Sequence, residues 1–242
     1  MTDKLDFFKT IRSNIKNHGN HVTLVAGGQI PRFAYTIGCS ETFGVELILA
    51  GGEFYSKNEV TAIIARMVEA LRNGADWQTL RLSVDSLGSF SLSITHESWS
   101  KITALGVFDF YKQDGIQVLQ ILPDEEHHTL DIPDMSTAFD VASQPVWQWL
   151  VREWNYAAPR NATVVTDLSV LFGEKATEVM RWDEDGWEIF SDDPSDMPKE
   201  DMRVLPLAIL IGIDKSLEPA VYLEVGKGFY RDRVDLTWKD WV

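Results

Sequence analysis

The sequence predicts an α+β protein in two parts: an N-terminal mixed or antiparallel sheet with packed helices, and a smaller C-terminal α+β unit. Three observations lead there. Hydrophobic spacing switches repeatedly between the three-and-four pattern of a helix and the period of two that suits a strand. Glycine and proline fall at the switches. At 242 residues the chain is long for one common domain and contains no internal repeat.

Leu5, Phe8, Ile11 and Ile15 lie on one helical face that ends at His18-Gly19. The period then changes: 21–26, 32–38 and 45–49 are rich in β-branched and aromatic residues and are bounded by Gly27-Gly28, Gly44 and Gly51-Gly52, as strands joined by turns would be. Ser56 with Glu59 three residues on forms a capping box. Val60, Ile63, Ile64, Met67, Val68 and Leu71 continue one apolar face, and Gly74 marks the stop. A hairpin is expected from 79–85 and 90–95 around Ser86-Leu87-Gly88-Ser89, and a further strand at 116–122. An acidic, proline-containing stretch, 123–133, closes this half.

Trp147, Leu150, Val151 and Trp154 recur at helical spacing before Pro159 and suggest a bridging helix. The organisation expected is therefore a first domain over 1–140, a bridging helix over 141–160 and a small acidic domain over 161–242. The last domain reads from 163 onward through the apolar stretches 176–182, 187–190, 204–213 and 221–225.

Charge restricts the partners. The net is −15, so the surface repels nucleic-acid backbones and anionic membranes and attracts basic proteins. Nine of the 37 acidic residues fall between Asp183 and Asp201 with Lys199 alone against them, and Trp182 and Trp187 flank the start of this run. Aromatic side chains concentrate binding energy and clustered charge speeds encounter. Trp182, Asp183, Asp185, Trp187, Asp192, Asp193 and Asp196 are accordingly the candidate binding residues. The single cysteine, Cys39, excludes an internal disulfide. The first residues lack a signal-peptide core, and the longest apolar stretch is far too short to span a bilayer, so a cytoplasmic location is expected.

Chemistry-bearing patterns are weak. Asp124, Glu125, Glu126, His127, His128, Asp131 and Asp134 include metal-ligand types without HExxH or another ligand spacing, and Asp183-Glu184-Asp185-Gly186 lacks the twelve-residue calcium pattern. The glycine pairs match neither GxGxxG nor a P-loop. No GxSxG elbow accompanies Cys39 or the histidines, and Cys39 reads as a small buried hydrophobe. No catalytic residue, metal or cofactor is expected.

One string is more specific. Phe33-Ala34-Tyr35-Thr36-Ile37-Gly38, followed by Glu46-Leu47-Ile48 and Gly51-Gly52, resembles the FAYT(I/V)GL…PELIV.GL signature of the bacterial family of domain of unknown function 4262. The turn His18-Gly19 and the closing segment from Val118 to Asp124 extend the likeness to about residues 5–134; Cys39 stands where that family commonly has Leu, and Val45 where it has Pro. Gly186-Trp187-Glu188-Ile189-Phe190-Ser191, Asp214-Lys215-Ser216-Leu217-Glu218-Pro219 and the segment from Gly226 to Asp232 are similar to small immunity-type domains of bacterial polymorphic toxin systems, with Asp192 in place of a glycine. That resemblance implies a non-enzymatic protein that blocks a toxin. The alternative is a small-molecule-binding or catalytic module in the first domain, with its pocket at Tyr35, Thr36, Gly38 and Glu46.

Overall fold

A computed structural model describes residues 2–193, 195 and 197–241. The protein is α+β, and its chain divides into two compact units. The first comprises Met1–Val25, Arg32–His128 and Asp134–Asp140; the second comprises Ala26–Pro31, Thr129–Pro133 and Val141–Val242.

The first unit runs α1 (Thr2–His18), β1 (His21–Val25), β2 (Phe33–Ile37), α2 (Ser40–Phe43), β3 (Val45–Ala50), α3 (Lys57–Arg72), β4 (Leu82–Ser83), β5 (Ser89–Ile94), α4 (Glu97–Thr103), α5 (Leu105–Tyr111) and β6 (Gln117–Pro123). Its sheet has the order β1-β2-β3-β6-β5-β4, parallel between β3 and β6 and antiparallel elsewhere. The parallel pair arises because the chain leaves β3 through α3 and the β4–β5 hairpin before it returns as β6. Alternation along β3 turns Val45, Leu47 and Leu49 toward the buried face of α3, where Ile63, Ile64 and Met67 are each fully buried.

The capping box at α3 is complete. Glu59 N donates to Ser56 Oγ at 3.3 Å, and Ser56 N donates to Glu59 Oε2 at 2.7 Å. Ser56→Ala is expected to cost about 1 kcal/mol, read as a lowered urea midpoint with the slope unchanged.

The second unit runs β7 (Thr163–Asp167), α6 (Leu168–Leu171), β8 (Glu178–Arg181), β9 (Gly186–Phe190), β10 (Met202–Pro206), α7 (Leu207–Ile213), β11 (Gly228–Tyr230) and β12 (Lys239–Asp240). The sheet order is β10-β7-β9-β8-β11-β12, with β7 and β9 parallel. The apolar stretch 204–213 is thus a strand that ends at Pro206 and continues directly as a helix whose first six residues are buried.

Residues 141–160 do not form the expected bridging helix. They belong to the second unit and contain one 3-10 segment, Pro145–Leu150. Helical spacing misleads here because adjacent residues, Val146 and Trp147, are both buried, while Val151 on the supposed apolar face is 57% exposed. Trp147 is fixed by its indole N–H on the Asp131 carbonyl at 2.9 Å. Gly212 of α7 lies so close to Val146 that any Cβ there would collide with the backbone.

Candidate functional site

Two places gather the residues singled out by sequence, one in each unit.

In the first unit, Glu46 is fully buried at the start of β3 and faces the loop that joins β2 to β3. Its Oε1 accepts from Gly38 N at 3.0 Å, Ser40 N at 2.9 Å and the Tyr111 hydroxyl at 2.9 Å. Its Oε2 accepts from Thr36 Oγ1 at 2.6 Å and Cys39 N at 3.3 Å. Gly38 adopts φ +111, a conformation that L side chains rarely take, and this turn aims three consecutive amides at one carboxylate. Thr36, Gly38 and Glu46 therefore meet.

Tyr35 does not join them. It lies on the other face of β2, with its ring against Gly106 of α5, and burial raises its phenol pKa. Tyr111, from the C-terminal end of α5, takes the place at the carboxylate; sequence reasoning missed it because α5 is too short to show a period. Burial and the Glu46 charge both raise the Tyr111 phenol. Burial, then Glu46, pushes the Cys39 thiol up to about 12, which leaves it protonated and unreactive at neutral pH.

Five donors fill the lone-pair directions of Glu46, so it has little capacity left to take a proton from a substrate. The cluster ties the β2–β3 loop, α5 and β3 together. A polar cavity of about 480 Å³ lies beside it, lined by Ser40, Glu41, Tyr111, Gln113 and Gln117 among others.

The acidic stretch 123–128 forms a different contact. Asp124 accepts from His127 Nδ1 and from Ser89 N at 2.6 Å. Burial alone would raise its carboxyl, but these hydrogen bonds outweigh burial and hold it below the ordinary aspartate value. Among the described residues no three His, Cys, Asp or Glu side chains are grouped to hold a metal ion.

In the second unit the 183–201 run separates into two places. Asp183 and Asp185 sit in the turn between β8 and β9, where Arg181 donates to the carbonyls of Asp183 at 3.1 Å and Glu184 at 2.7 Å. Asp192 and Asp193 follow the far end of β9, a five-residue strand that spans roughly 17 Å. Asp196 lies outside the described residues.

The two tryptophans also part. Trp182 is 57% exposed, whereas Trp187 is 1% exposed, stacked under the Arg181 guanidinium at 4.5 Å and hydrogen-bonded to the Ala220 carbonyl. Trp187 is a core residue, and of the pair only Trp182 is available to a partner. Trp182→Ala is expected to leave stability within about 0.5 kcal/mol of wild type in thermal unfolding.

Asp192 and Asp193 border a cavity of about 580 Å³, whose lining includes Asp167, Glu174, Asp201 and Arg233. Asp167 builds the floor. It caps α6 through Val170 N at 3.2 Å and accepts both Ser191 N at 2.9 Å and Ser191 Oγ at 3.0 Å. An aspartate just before the apolar Leu168–Leu171 was the sequence signal for this cap, and it was overlooked. Arg233 pairs with Asp192 at 2.9 Å and donates to the Ser191 carbonyl at 2.9 Å, fixing one wall. Hydrogen bonds from Ser195 keep the Asp193 carboxyl low. Glu178 is pushed the other way, by burial first and then by the negative charges of Asp193 and Asp192. A carboxyl raised by its neighbours marks a local excess of negative charge. The arrangement has hydrogen-bond acceptors and field for a cation.

No curated protein and no solved structure matches the chain. Residues 14–130 match the family model of a domain of unknown function, DUF4262.

Proposed function

We propose that this chain is a non-enzymatic binding protein of the bacterial cytoplasm that engages a basic protein partner, in the manner of an immunity protein neutralising a toxin whose own cleft is positive. The observation behind this reading is the acid-walled cavity of the second unit. Asp192, Asp193, Glu174 and Asp201 border one space, and Arg233 is the one cation among its described lining residues. Such a field steers a basic partner and speeds encounter. The likeness of segments 186–191, 214–219 and 226–232 to immunity-type domains points the same way, as does the saturation of Glu46, which removes the best candidate for proton transfer in the first unit.

The test is co-expression with a basic nuclease domain encoded beside the gene. Wild type is expected to co-purify with it and to protect growth; the Asp192→Asn/Asp193→Asn variant is expected to lose most of the complex at about 0.15 M salt, where the Debye length is about 8 Å. A complex that survives both the substitutions and high salt would contradict the proposal.

A second reading attaches to the polar cavity beside Tyr111, of about 480 Å³, which suits a small polar ligand. A thermal-shift screen of nucleotides and metabolites checks it. Stabilisation that is lost in Gln113→Ala supports it, and no stabilisation by any compound contradicts it.

A further inference from the structure

The second unit has another concave surface, made of residues that the acidic cavity does not use. Tyr222, Phe229 and Trp241 line a groove of about 460 Å³ together with Glu224, Asp240 and Lys227. The floor is β11, where Gly228 is required because a Cβ would run into the Val179 carbonyl of neighbouring β8. One wall is β12, held by Phe229 opposite Asp240 and by Trp241 N on the Gly228 carbonyl at 2.9 Å. The opposite wall is the end of the 3-10 segment Lys215–Tyr222. The aromatic side chains are not spent on the core: Tyr222 is 60% exposed and Trp241 44%.

This unit already uses one chemical combination twice. Arg181 lies over Trp187 at 4.5 Å, and Arg231 lies over Trp238 at 4.0 Å with Asp214 3.4 Å from its guanidinium. In both, a planar cation covers an indole face, and in the second a carboxylate completes the pairing. The groove offers the same set, an indole and a phenol ring with two carboxylates against one lysine. Its charge and its rings both favour a planar cation.

We infer that this groove binds an arginine side chain presented by a basic protein segment, through Trp241 and Tyr222 on its faces and Glu224 and Asp240 at its edge. The inference rests on residues distinct from Asp192 and Asp193 and stands or falls separately from the proposed role of the acidic cavity.

The test uses the full chain and the tripeptide acetyl-Gly-Arg-Gly-amide, with its citrulline analogue as the uncharged isostere. The readout is the Trp241 indole N–H signal in NMR, identified by its loss in Trp241→Phe. The arginine peptide is expected to shift that signal saturably at concentrations up to about 10 mM, and the citrulline peptide is expected not to. Tyr222→Ala, at a well-exposed position where folding is not at stake, is expected to weaken binding by about threefold or more, as is Glu224→Gln combined with Asp240→Asn. Asp192→Asn/Asp193→Asn is expected to leave it unchanged. No saturable shift, equal binding of the citrulline peptide, an unaffected Tyr222→Ala variant or loss of binding in the Asp192→Asn/Asp193→Asn variant would each overturn the inference.

Discussion

Replacing Glu46 with alanine is expected to destabilise the first unit by about 3–5 kcal/mol, from the several neutral donors it leaves short of an acceptor. The reason is the number of donors that lose their acceptor. Cys39 and Ser40 contribute backbone N–H groups that cannot turn away, while the Gly38 N–H keeps a second acceptor in the Tyr111 hydroxyl at 2.9 Å. The Thr36 hydroxyl can rotate but is fully buried, whereas the Tyr111 hydroxyl is part-buried beside the polar cavity and can turn toward water. Each unsatisfied buried donor costs about 1–3 kcal/mol before relaxation. Glu46→Gln keeps the volume but turns one acceptor oxygen into a donor amide, so a smaller loss is expected. Hydrogen exchange localises the effect: amides of 36–48 should exchange roughly a hundredfold to a few thousandfold faster in Glu46→Ala. A change below about 1 kcal/mol would mean that the loop is held by its packing and not by the carboxylate.

The second large effect is expected at Asp214. It caps the 3-10 segment through Ser216 N at 2.9 Å, pairs with Lys175 at 3.0 Å and faces Arg231, whose side chain is fully buried. Arg231 also donates to the Ala176 carbonyl at 2.6 Å and to Ser216 Oγ at 2.7 Å. Asp214→Ala leaves this guanidinium without its counter-charge and is expected to cost about 3–5 kcal/mol in urea unfolding of the second unit. Asp214→Ala combined with Arg231→Met removes both charges and is expected to recover part of the loss.

The pH dependence has a definite sign. Burial would raise the Asp214 carboxyl, yet the Ser216 hydrogen bonds and the Lys175 ammonium outweigh it and lower the pKa from 3.8. A depressed carboxylate contributes stability that is complete above its unfolded pKa and is lost as pH falls through the folded value. The contribution should therefore be constant at neutral pH and disappear only below about pH 4. Asp214→Asn should flatten the acid limb of the stability curve, and an unchanged limb would contradict the assignment.

The strands of the first sheet were legible because alternation and glycine punctuation are local signals, whereas in the second unit the sequence marked only apolar stretches, of which 221–225 forms no strand and 204–213 is a strand followed by a helix. The α3 helix was legible because sixteen residues give several turns of one apolar face and a complete cap. The four-residue α2 and seven-residue α4 and α5 were not, since a helix of two turns or fewer has no period to detect. The acidic run illustrates the other limit. In the sequence Asp183 and Asp192 are neighbours on one charged stretch, whereas a hairpin strand places them at opposite ends of β9. Trp187 could have been assigned to the core from alternation with Ile189, because both positions point inward from the same strand. Its proximity to the acidic residues outweighed that pattern in the sequence reading. Thr36, Gly38 and Glu46 were found together because they occupy one short string, while Tyr111 reaches the same carboxylate from 65 residues away and left no local trace.

The most direct measurement is the association rate constant of the chain with a basic partner domain across ionic strengths from about 0.05 to 0.5 M, for wild type and for Asp192→Asn/Asp193→Asn. The account predicts that the wild-type rate falls by about tenfold or more as salt rises, and that the variant starts lower and falls less, with dissociation little changed. Equal rates and equal salt slopes for the two proteins would contradict the claim that the acid-walled cavity is where the partner is met.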